Sequence, residues 1–256
     1  MKPKVDIVIA RYKENLYWLE DVLSALKSQY DISVFIYNKG STLVVLPEEI
    51  CDDTLTVRTL PNVGRESQTY LHHIIENYNN RLTDRYVIFL QGEFKEHFRW
   101  YGTPTPSTHD EFISNLIKDA LQNPLHASTS FANTWRHEVG GCAAHYGFHI
   151  AAHAGQPLVP RSPKSFGDWY NEFVGEWKDT ESWHTIPFWI GGLFAISGEQ
   201  IRQRPIEYYQ RLRDCVGVSL NPEVGHFMER AWLGVFNLIE PPNTPQAYIR
   251  KKGKLL

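Results

Sequence analysis

The sequence has 256 residues and a formal net charge of −3, and its one concentration of basic residues is the C-terminal RKKGKLL segment. Since binding to a phosphate backbone requires a concentrated basic face, this composition argues against a nucleic-acid-binding protein. A hydrophobic fraction of 42% is enough for one sizeable packed core. The three cysteines are widely separated, which argues against a disulfide framework or a CxxC zinc site and favours a reducing compartment.

The N-terminal segment runs directly into an apolar stretch of strand length, so it lacks the long apolar core of a signal peptide. No other stretch is long and apolar enough to predict a transmembrane segment. We therefore expect a soluble, intracellular protein.

Short apolar runs alternate with amphipathic segments over the first half of the chain. The runs comprise residues 5–11, 33–40, 55–62 and 85–93. They are rich in β-branched residues, which is typical of buried strands. Helical spacing of apolar residues predicts helices over 14–29 and 65–78. The alternation predicts an α/β fold with a mostly parallel central sheet and helices on both faces.

The second half of the chain is less regular. Its patterns predict helices over 109–122 and 221–236, a strand over 188–197, and a helical segment over 198–214 that Pro205 divides in two. Residues 123–187 are rich in Gly, Pro, His and Trp and show little periodicity. With no repeat or flexible linker in the sequence, we expect one domain.

Polar residues follow all four strands predicted in the first half, at the point where each strand ends. Ligands of open parallel sheets bind beyond the carboxyl ends of the strands, so we expect these side chains to meet at one edge of the sheet. They are Arg11 and Tyr12, then Asn38 and Lys39, then Asn62, Gly64, Arg65 and Glu66, and finally Gln91, Gly92 and Glu93.

The third group begins the predicted helix within LPNVGRESQTYLHHIIENY. Gly64 permits a tight turn or a close approach to a ligand, and the helix N-terminus attracts anions. Arg65 offers a planar donor for phosphate oxygens, and Glu66 can accept a hydrogen bond from a ribose or sugar hydroxyl. The alternative is that Arg65 is a solvated surface residue and Glu66 only complements the helix dipole. The glycine pattern matches neither a dinucleotide fingerprint nor a P-loop, which argues against a dehydrogenase, a kinase or an ordinary methyltransferase.

Six motifs occur in order over most of the chain: ARYKENLYWL, IYNKG, PNVGRESQTYLHHIIENY, FLQGE, GGLFAISGEQIRQRP and NPEVGHFMERAW. With these motifs the chain resembles the GT-A class of nucleotide-sugar glycosyltransferases. More closely, it resembles a poorly characterised family of glycosyltransferase-like domains from fungi, algae and large viruses. The resemblance implies a single GT-A-like domain over 1–256, with a nucleotide-binding half at 1–122 and an acceptor and catalytic half at 123–256.

The resemblance also implies roles for the residues at the strand ends. Arg11 and Tyr12 would lie near the base or ribose of the donor. The place of the metal-binding Asp-x-Asp motif is taken by Gln91, Gly92 and Glu93. Two alternatives follow for the donor diphosphate. Either Mn²⁺ or Mg²⁺ binds near Glu93, with His226 as a further ligand, or the site is metal-independent and Arg11, Lys39 and Arg65 balance the charge.

In the second half, the resemblance places Gly191 and Gly192 under the donor and acceptor sugars. Trp189 would either stack on a sugar face or pack in the core. The segment NPEVGHFMER resembles the acidic motif that carries the general base of inverting members, with Glu223 as first choice and Glu229 as second. Val224 stands where a second acid is usual. His226, three residues after Glu223, would bind a metal or a phosphate, or serve as a hydrogen-bonded helix histidine.

The implied activity is a hexosyl- or pentosyltransferase that moves a sugar from a nucleoside diphosphate donor, UDP being favoured, to a hydroxyl of a glycan or glycoconjugate. Inversion is favoured, and a retaining mechanism, which needs no such base, is the alternative. Its partners would be the nucleotide sugar and the glycan acceptor, with no nucleic acid. Its location would be the cytoplasm, or the host cytoplasm for a viral protein.

Two other function classes stay open. His145, His149 and His153 recur at spacing four, so in a helix they would share one face and could serve a metal-dependent hydrolase. A non-catalytic protein that binds nucleotides or sugars is the second alternative.

Overall fold

The structure is a computed structural model that describes residues 1–100, 106–122, 143–145, 147, 150, 158–159, 164–177, 185–188 and 190–238. Its strands are β1 (Lys4–Arg11), β2 (Asp31–Asn38), β3 (Leu55–Thr59), β4 (Arg85–Gln91), β5 (Ala143–His145), β6 (Thr185–Pro187) and β7 (Phe194–Ser197). Its α-helices are α1 (Trp18–Leu26), α2 (Arg65–Asn77), α3 (His109–Gln122), α4 (Phe166–Phe173), α5 (Gly198–Ile201), α6 (Ile206–Val216) and α7 (Glu223–Val235). Four 3-10 helices lie at Glu48–Ile50, Leu82–Asp84, Lys95–Trp100 and Ile190–Gly192.

Five strands form the central sheet in the order β3-β2-β1-β4-β7. β1 to β4 are parallel, and β7 pairs with β4 in the antiparallel direction. The sheet is therefore mixed but mostly parallel, as the alternation of strands and helices predicts. β5 and β6 form a separate antiparallel pair.

The centre of the sheet is buried on both faces. Successive side chains of β1 point to opposite faces, and Val5, Ile7, Val8 and Ile9 are all fully buried. α1 packs with α3, and α2 packs with α6 and α7. No α-helix within the described ranges has the length and apolar character needed to cross a membrane.

Two of the predicted elements differ from the structure in their extent. The predicted strand over 188–197 is a strand only from Phe194 to Ser197, since Gly191 and Gly192 both have φ of +63° and form a 3-10 turn. The predicted helix over 14–29 begins at Trp18. The preceding turn is held by Glu14, whose Oε2 accepts hydrogen bonds from the backbone N–H groups of Tyr12 and Lys13.

Helix α4 lies in the region where the sequence shows little periodicity. It begins with a capping box, in which the Ser165 side chain accepts from the Asp168 N–H. Phe166, Trp169 and Tyr170 are buried on its inner side. The Ser-x-x-Asp spacing is the one sequence signal that could have located this helix.

A buried carboxylate joins β1 to the start of β4. Asp6 is fully buried and accepts hydrogen bonds of 2.7 and 2.8 Å from Arg81 and of 2.9 Å from Arg85. The two arginines flank the 3-10 helix Leu82–Asp84 that leads into β4. A charge in the interior requires compensating partners, so this three-residue group determines where β4 enters the sheet.

We expect the substitution Asp6→Asn to lower the free energy of unfolding by about 3 kcal/mol, because it leaves two partly buried guanidinium groups without a counter-charge. Urea unfolding at neutral pH measures this loss. Asp84→Asn is the matched control, because Asp84 pairs with Lys4 where both side chains are exposed. Equal unfolding midpoints for the two variants would contradict the role assigned to Asp6.

Candidate functional site

The strand order changes direction between β1 and β4, since the chain passes from β1 to β2 and β3 on one side and to β4 on the other. In open α/β sheets the carboxyl ends of the strands at such a point form the usual binding crevice. The strand ends are adjacent here, because Arg11 is opposite Asn38 and Ala10 is opposite Gln91. Residues of the α2 and α7 N-termini complete this edge of the molecule.

Arg11 is committed to contacts within the protein. Its Nε donates to the Glu14 carbonyl, Nη1 donates to Asn38 Oδ1 and the Thr42 carbonyl, and Nη2 donates to Thr42 Oγ1 and the Leu43 carbonyl. All five N–H donors of a guanidinium are thereby used. The expected contacts of Arg11 with a diphosphate and of Asn38 with the donor stay predictions. Both residues hold the loop after β2.

Tyr12 follows Arg11 and is open to solvent, with 50% of its surface exposed. Its backbone lies against Gly40, where a Cβ atom would stand 1.7 Å from the Tyr12 carbonyl oxygen. Glycine is therefore required at position 40. The tyrosine ring is the exposed aromatic group at the end of β1, where an aromatic ligand could stack.

Helix α2 begins with two residues in the left-handed region, Gly64 at φ +63° and Arg65 at φ +53°. A Cβ on Gly64 would lie 2.8 Å from the Val216 carbonyl oxygen, so only glycine fits. The Gly64 N–H donates to the Ser219 carbonyl at 2.7 Å. Positive φ is costly for a residue with a side chain, and backbone strain of this kind is typical of ligand sites.

Three nitrogen-bearing side chains converge on this helix start. Nη1 of Arg65 lies 2.8 Å from Nε2 and 3.0 Å from Nδ1 of His226, and His226 Nε2 lies 3.2 Å from Asn221 Oδ1. Lys39 donates to the backbone carbonyls of Val63 and Arg65. In contrast to Arg11, Arg65 has an Nη2 group with no hydrogen-bond partner among the described residues.

Lys39 is an unusual lysine because it is buried. Burial lowers its pKa from 10.5 to about 8, with a smaller opposing effect of Glu66 and a further lowering by Arg65. The ammonium group is therefore charged at neutral pH and loses its charge in mildly alkaline solution. A nearby anion would favour the charged form.

The first two turns of α2 carry a run of buried polar side chains. Glu66, Ser67, Gln68 and Thr69 are each at least nine-tenths buried. Their side-chain atoms Glu66 Oε1, Ser67 Oγ, Gln68 Oε1 and Thr69 Oγ1 have no hydrogen-bond partner in the described part of the chain. Buried polar atoms are normally paired, so these four atoms are exceptions to that rule.

A second group surrounds the turn at Gly191. Gln91 Nε2 donates to the Gly191 carbonyl at 2.7 Å, and the Gly191 N–H donates to Glu229 Oε1 at 3.2 Å. The other carboxylate oxygen of Glu229 lies 3.4 Å from Arg230. These contacts place Glu229 against the turn, and its expected role as second-choice general base stays a prediction. Gly192 links the two groups, because its inner side faces Glu66.

Glu223 is the first residue of α7 and is almost fully buried. Its Oε1 accepts a hydrogen bond of 3.3 Å from the Ile150 N–H, and its own N–H donates to the Val159 carbonyl. One helical turn separates it from His226 and hence from Arg65. The role of Glu223 as first-choice general base stays a prediction.

Glu93 contacts none of the residues around the start of α2 in the hydrogen bonds of the described residues. Its Oε1 accepts from the N–H groups of Phe94 and Lys95 and contacts His109 Nε2 at 3.2 Å. Partial burial would raise its pKa, but the donors of Lys95, His109 and Phe94 outweigh burial and lower it. Within the described residues no three His, Cys, Asp or Glu side chains form a group that could hold a metal, and the predicted metal roles of Glu93 and His226 stay predictions.

The remaining predicted site residues have four different settings. Gly92 is buried at the end of β4, its N–H donates to the Ala10 carbonyl, and its own carbonyl accepts from Trp18. Asn62 is partly buried and forms no side-chain hydrogen bond in the described ranges. Trp189, His149 and His153 lie outside the described residues. His145 lies in β5, so the helical arrangement expected for the three histidines does not apply to its first member.

Sequence reasoning missed Trp232, Asn221 and Ser219, which surround the same site. Trp232 is in α7, and its Nε1 is buried with no partner among the described residues. The spacing of Trp232 after Phe227 and Met228 indicates a core position, which hides the polar atom of the indole. Asn221 and Ser219 belong to the loop before α7, where sequence alone gives no contact.

No curated protein matches the chain, and no solved structure matches it. One family matches residues 7–250, nearly the whole chain, and its description is "Protein of unknown function (DUF3431)". The chain that carries this strand-end site therefore belongs to the DUF3431 family.

Proposed function

We propose that this protein is a glycosyltransferase that uses a nucleoside diphosphate sugar, with UDP as the favoured nucleotide. The observation that carries the proposal is the open guanidinium of Arg65 at the strained start of α2, beside the buried ammonium group of Lys39. Two cations and a helix N-terminus form a site for an anion with several charged oxygens. A diphosphate is such an anion.

The surroundings support a nucleotide sugar more than inorganic phosphate. Tyr12 provides an exposed aromatic ring at the end of β1, suited to stacking on a base. On the other side of the anion site, the Ile190–Gly192 turn presents two residues without side chains. Backbone of this kind allows a sugar ring to approach closely. The nucleotide would thus lie across the carboxyl ends of β1 and β4.

The chemistry assigned to the site is a direct displacement at the anomeric carbon. The acceptor hydroxyl attacks, its proton passes to the Glu223 carboxylate, and the bond between the anomeric carbon and the diphosphate oxygen breaks. Negative charge develops on the leaving diphosphate, where Arg65 and Lys39 stabilise it. This assignment needs no divalent cation to neutralise the leaving group.

We expect UDP and UDP-sugars to raise the melting temperature of the protein, because a ligand that binds the native state stabilises it by mass action. The test is a thermal shift panel of UDP, GDP, CDP and their sugar conjugates, each with Mn²⁺ and with EDTA. The Arg65→Gln variant should lose most of the shift. Arg58→Gln, which changes an exposed arginine of β3, should keep it.

If no nucleotide shifts the melting temperature of the unmodified protein, the transferase proposal is wrong. A shift that persists in EDTA supports cationic side chains as the diphosphate ligands. A shift that requires Mn²⁺ assigns a metal to the site and removes the metal-independent part of the proposal.

The substitution Glu223→Gln separates an enzyme from a non-catalytic binder. We expect transfer or slow hydrolysis of the nucleotide sugar to fall by at least about a hundredfold, the usual contribution of a general base, with nucleotide affinity unchanged. Release of UDP measures turnover, and calorimetry measures affinity. Unchanged UDP release in Glu223→Gln would remove the base role, and no release by the unmodified protein would favour a binder.

The affinity for UDP should fall as the pH rises from 7 through 8 to 9.5, by up to about tenfold per pH unit above the free pKa of Lys39. UDP binds more tightly when the Lys39 amine is charged, and above about pH 8 most of the free protein has lost that charge. Unfolding does not explain such a loss, because a lysine whose folded pKa is lowered destabilises the fold below pH about 8 and this cost fades as the pH rises towards 10.5.

Isothermal titration of UDP at several pH values provides the measurement, with Lys39→Met as the comparison. The variant should bind UDP more weakly at pH 7 and show a flat dependence between pH 7.5 and 9.5. The same slope in both proteins would show that another group titrates.

A further inference from the structure

Two buried polar atoms near the diglycine turn lack partners. Trp232 is fully buried, and its Nε1–H donor has no hydrogen-bond partner among the described residues. Glu66 is 9% exposed, and its Oε1 acceptor likewise has none there. One atom can only donate, and the other, in a carboxylate, can only accept.

Both side chains face the same place beside Gly192. Apart from Gly192 and its two chain neighbours, the atoms nearest to a Cβ built on Gly192 are Trp232 Nε1 at 3.8 Å, Tyr70 Cε2 at 3.8 Å and Glu66 Cγ at 3.9 Å. Trp232 Nε1 and the Glu66 side chain therefore flank the same side of Gly192. The residual exposure of Glu66 connects this place to the anion site, because Glu66 also lies beside Arg65.

Packing explains the indole ring but not its N–H group. The Trp232 ring stacks on Phe236 with centroids 5.5 Å apart and contacts Phe194 and Tyr70. A phenylalanine would make similar apolar contacts. The unpaired N–H and the unpaired carboxylate oxygen need a group that accepts from one and donates to the other.

A hydroxyl is the simplest group that meets both needs with one atom. Its lone pair accepts from the indole N–H, and its proton is donated to the carboxylate in a charge-assisted hydrogen bond. A carbonyl oxygen would leave the carboxylate unpaired, and an ammonium group would leave the indole N–H unpaired. The chemistry of the place therefore selects an alcohol or a water molecule.

We propose that Glu66 and Trp232 form the subsite for one hydroxyl of the transferred sugar, which makes them residues that determine donor specificity. This inference rests on the proposed function, because the anion site next to Glu66 is what brings a sugar to Gly192. Discrimination follows from the geometry, since a sugar without a hydroxyl at that position leaves both atoms unpaired.

Calorimetric dissociation constants test the inference. The ligands are UDP, UDP-glucose, UDP-galactose, UDP-xylose and UDP-N-acetylglucosamine, together with singly deoxygenated forms of the sugar that binds best. The quantity compared is the ratio of the constant for each UDP-sugar to that for UDP, since Glu66 also affects the diphosphate through its charge.

For the unmodified protein, deoxygenation at one ring position should raise this ratio about tenfold, and at the other positions by far less. Trp232→Phe should raise the ratio for the intact sugar about tenfold and show no further loss with that one deoxy-sugar. Glu66→Gln should change the ratios in the same way as Trp232→Phe, and it replaces that variant if Trp232→Phe folds poorly. Trp169→Phe is the matched control, because it removes another buried indole N–H, which contacts Cys215, and it should leave the ratio unchanged.

Three results would overturn the inference. If Trp232→Phe and Glu66→Gln change the constants for UDP and UDP-sugars equally, the place beside Gly192 holds water in a structural role, and the transferase proposal stands without it. The same conclusion follows if Trp232→Phe loses as much affinity for every deoxy-sugar as the unmodified protein does. If the unmodified protein binds UDP and binds every UDP-sugar no more tightly than UDP, the sugar subsite is absent. If it binds no nucleotide at all, both proposals are wrong.

Discussion

The left-handed backbone at Gly64 and Arg65 is the constraint on which the candidate site depends. It redirects the chain between β3 and α2 and turns the Arg65 side chain towards His226. Three contacts enforce it: the Ser219 carbonyl accepts from the Gly64 N–H, the Val216 carbonyl leaves no room for a Cβ, and Lys39 holds the carbonyl of Arg65. Strain of this kind persists only where the surroundings over-determine it.

Two arginines at neighbouring strand ends have opposite roles for a physical reason. Arg11 leaves β1 beside a loop whose carbonyl groups face it, and all five of its donors find partners. Arg65 leaves a helix N-terminus, where the backbone offers N–H groups rather than carbonyls. Among the described residues its guanidinium contacts only a histidine and a neighbouring carboxylate. The environment of the side chain, and not its type, distinguishes the structural arginine from the one available to a ligand.

The sheet was predictable because its strands are short apolar runs that alternate with amphipathic helices, and because polar residues gather where those runs end. α4 and the 3-10 turn at Gly191 were not, since a capping box and two positive φ values are local events that leave no periodic pattern. At the site, Lys39, Arg65 and Glu66 were predicted because they follow strands of the sheet, and His226 because its segment resembles a known motif. Their contacts with one another were not predictable. Arg65 and His226, for example, are 161 residues apart in the chain, and a contact over such a distance leaves no signal in a single sequence.

The distribution of unpaired polar atoms bears on whether the site binds or only folds. Each buried polar atom without a partner destabilises the folded chain, and a protein selected for stability alone would replace it by an apolar group. Within the described residues, four of these atoms are on the first two turns of α2 and one is on Trp232 of α7, a helix that packs against α2. Since the same helix start also holds a strained arginine and a lysine with a lowered pKa, the destabilising features coincide in space. Such a coincidence is common at functional sites, which often give up local stability for their role.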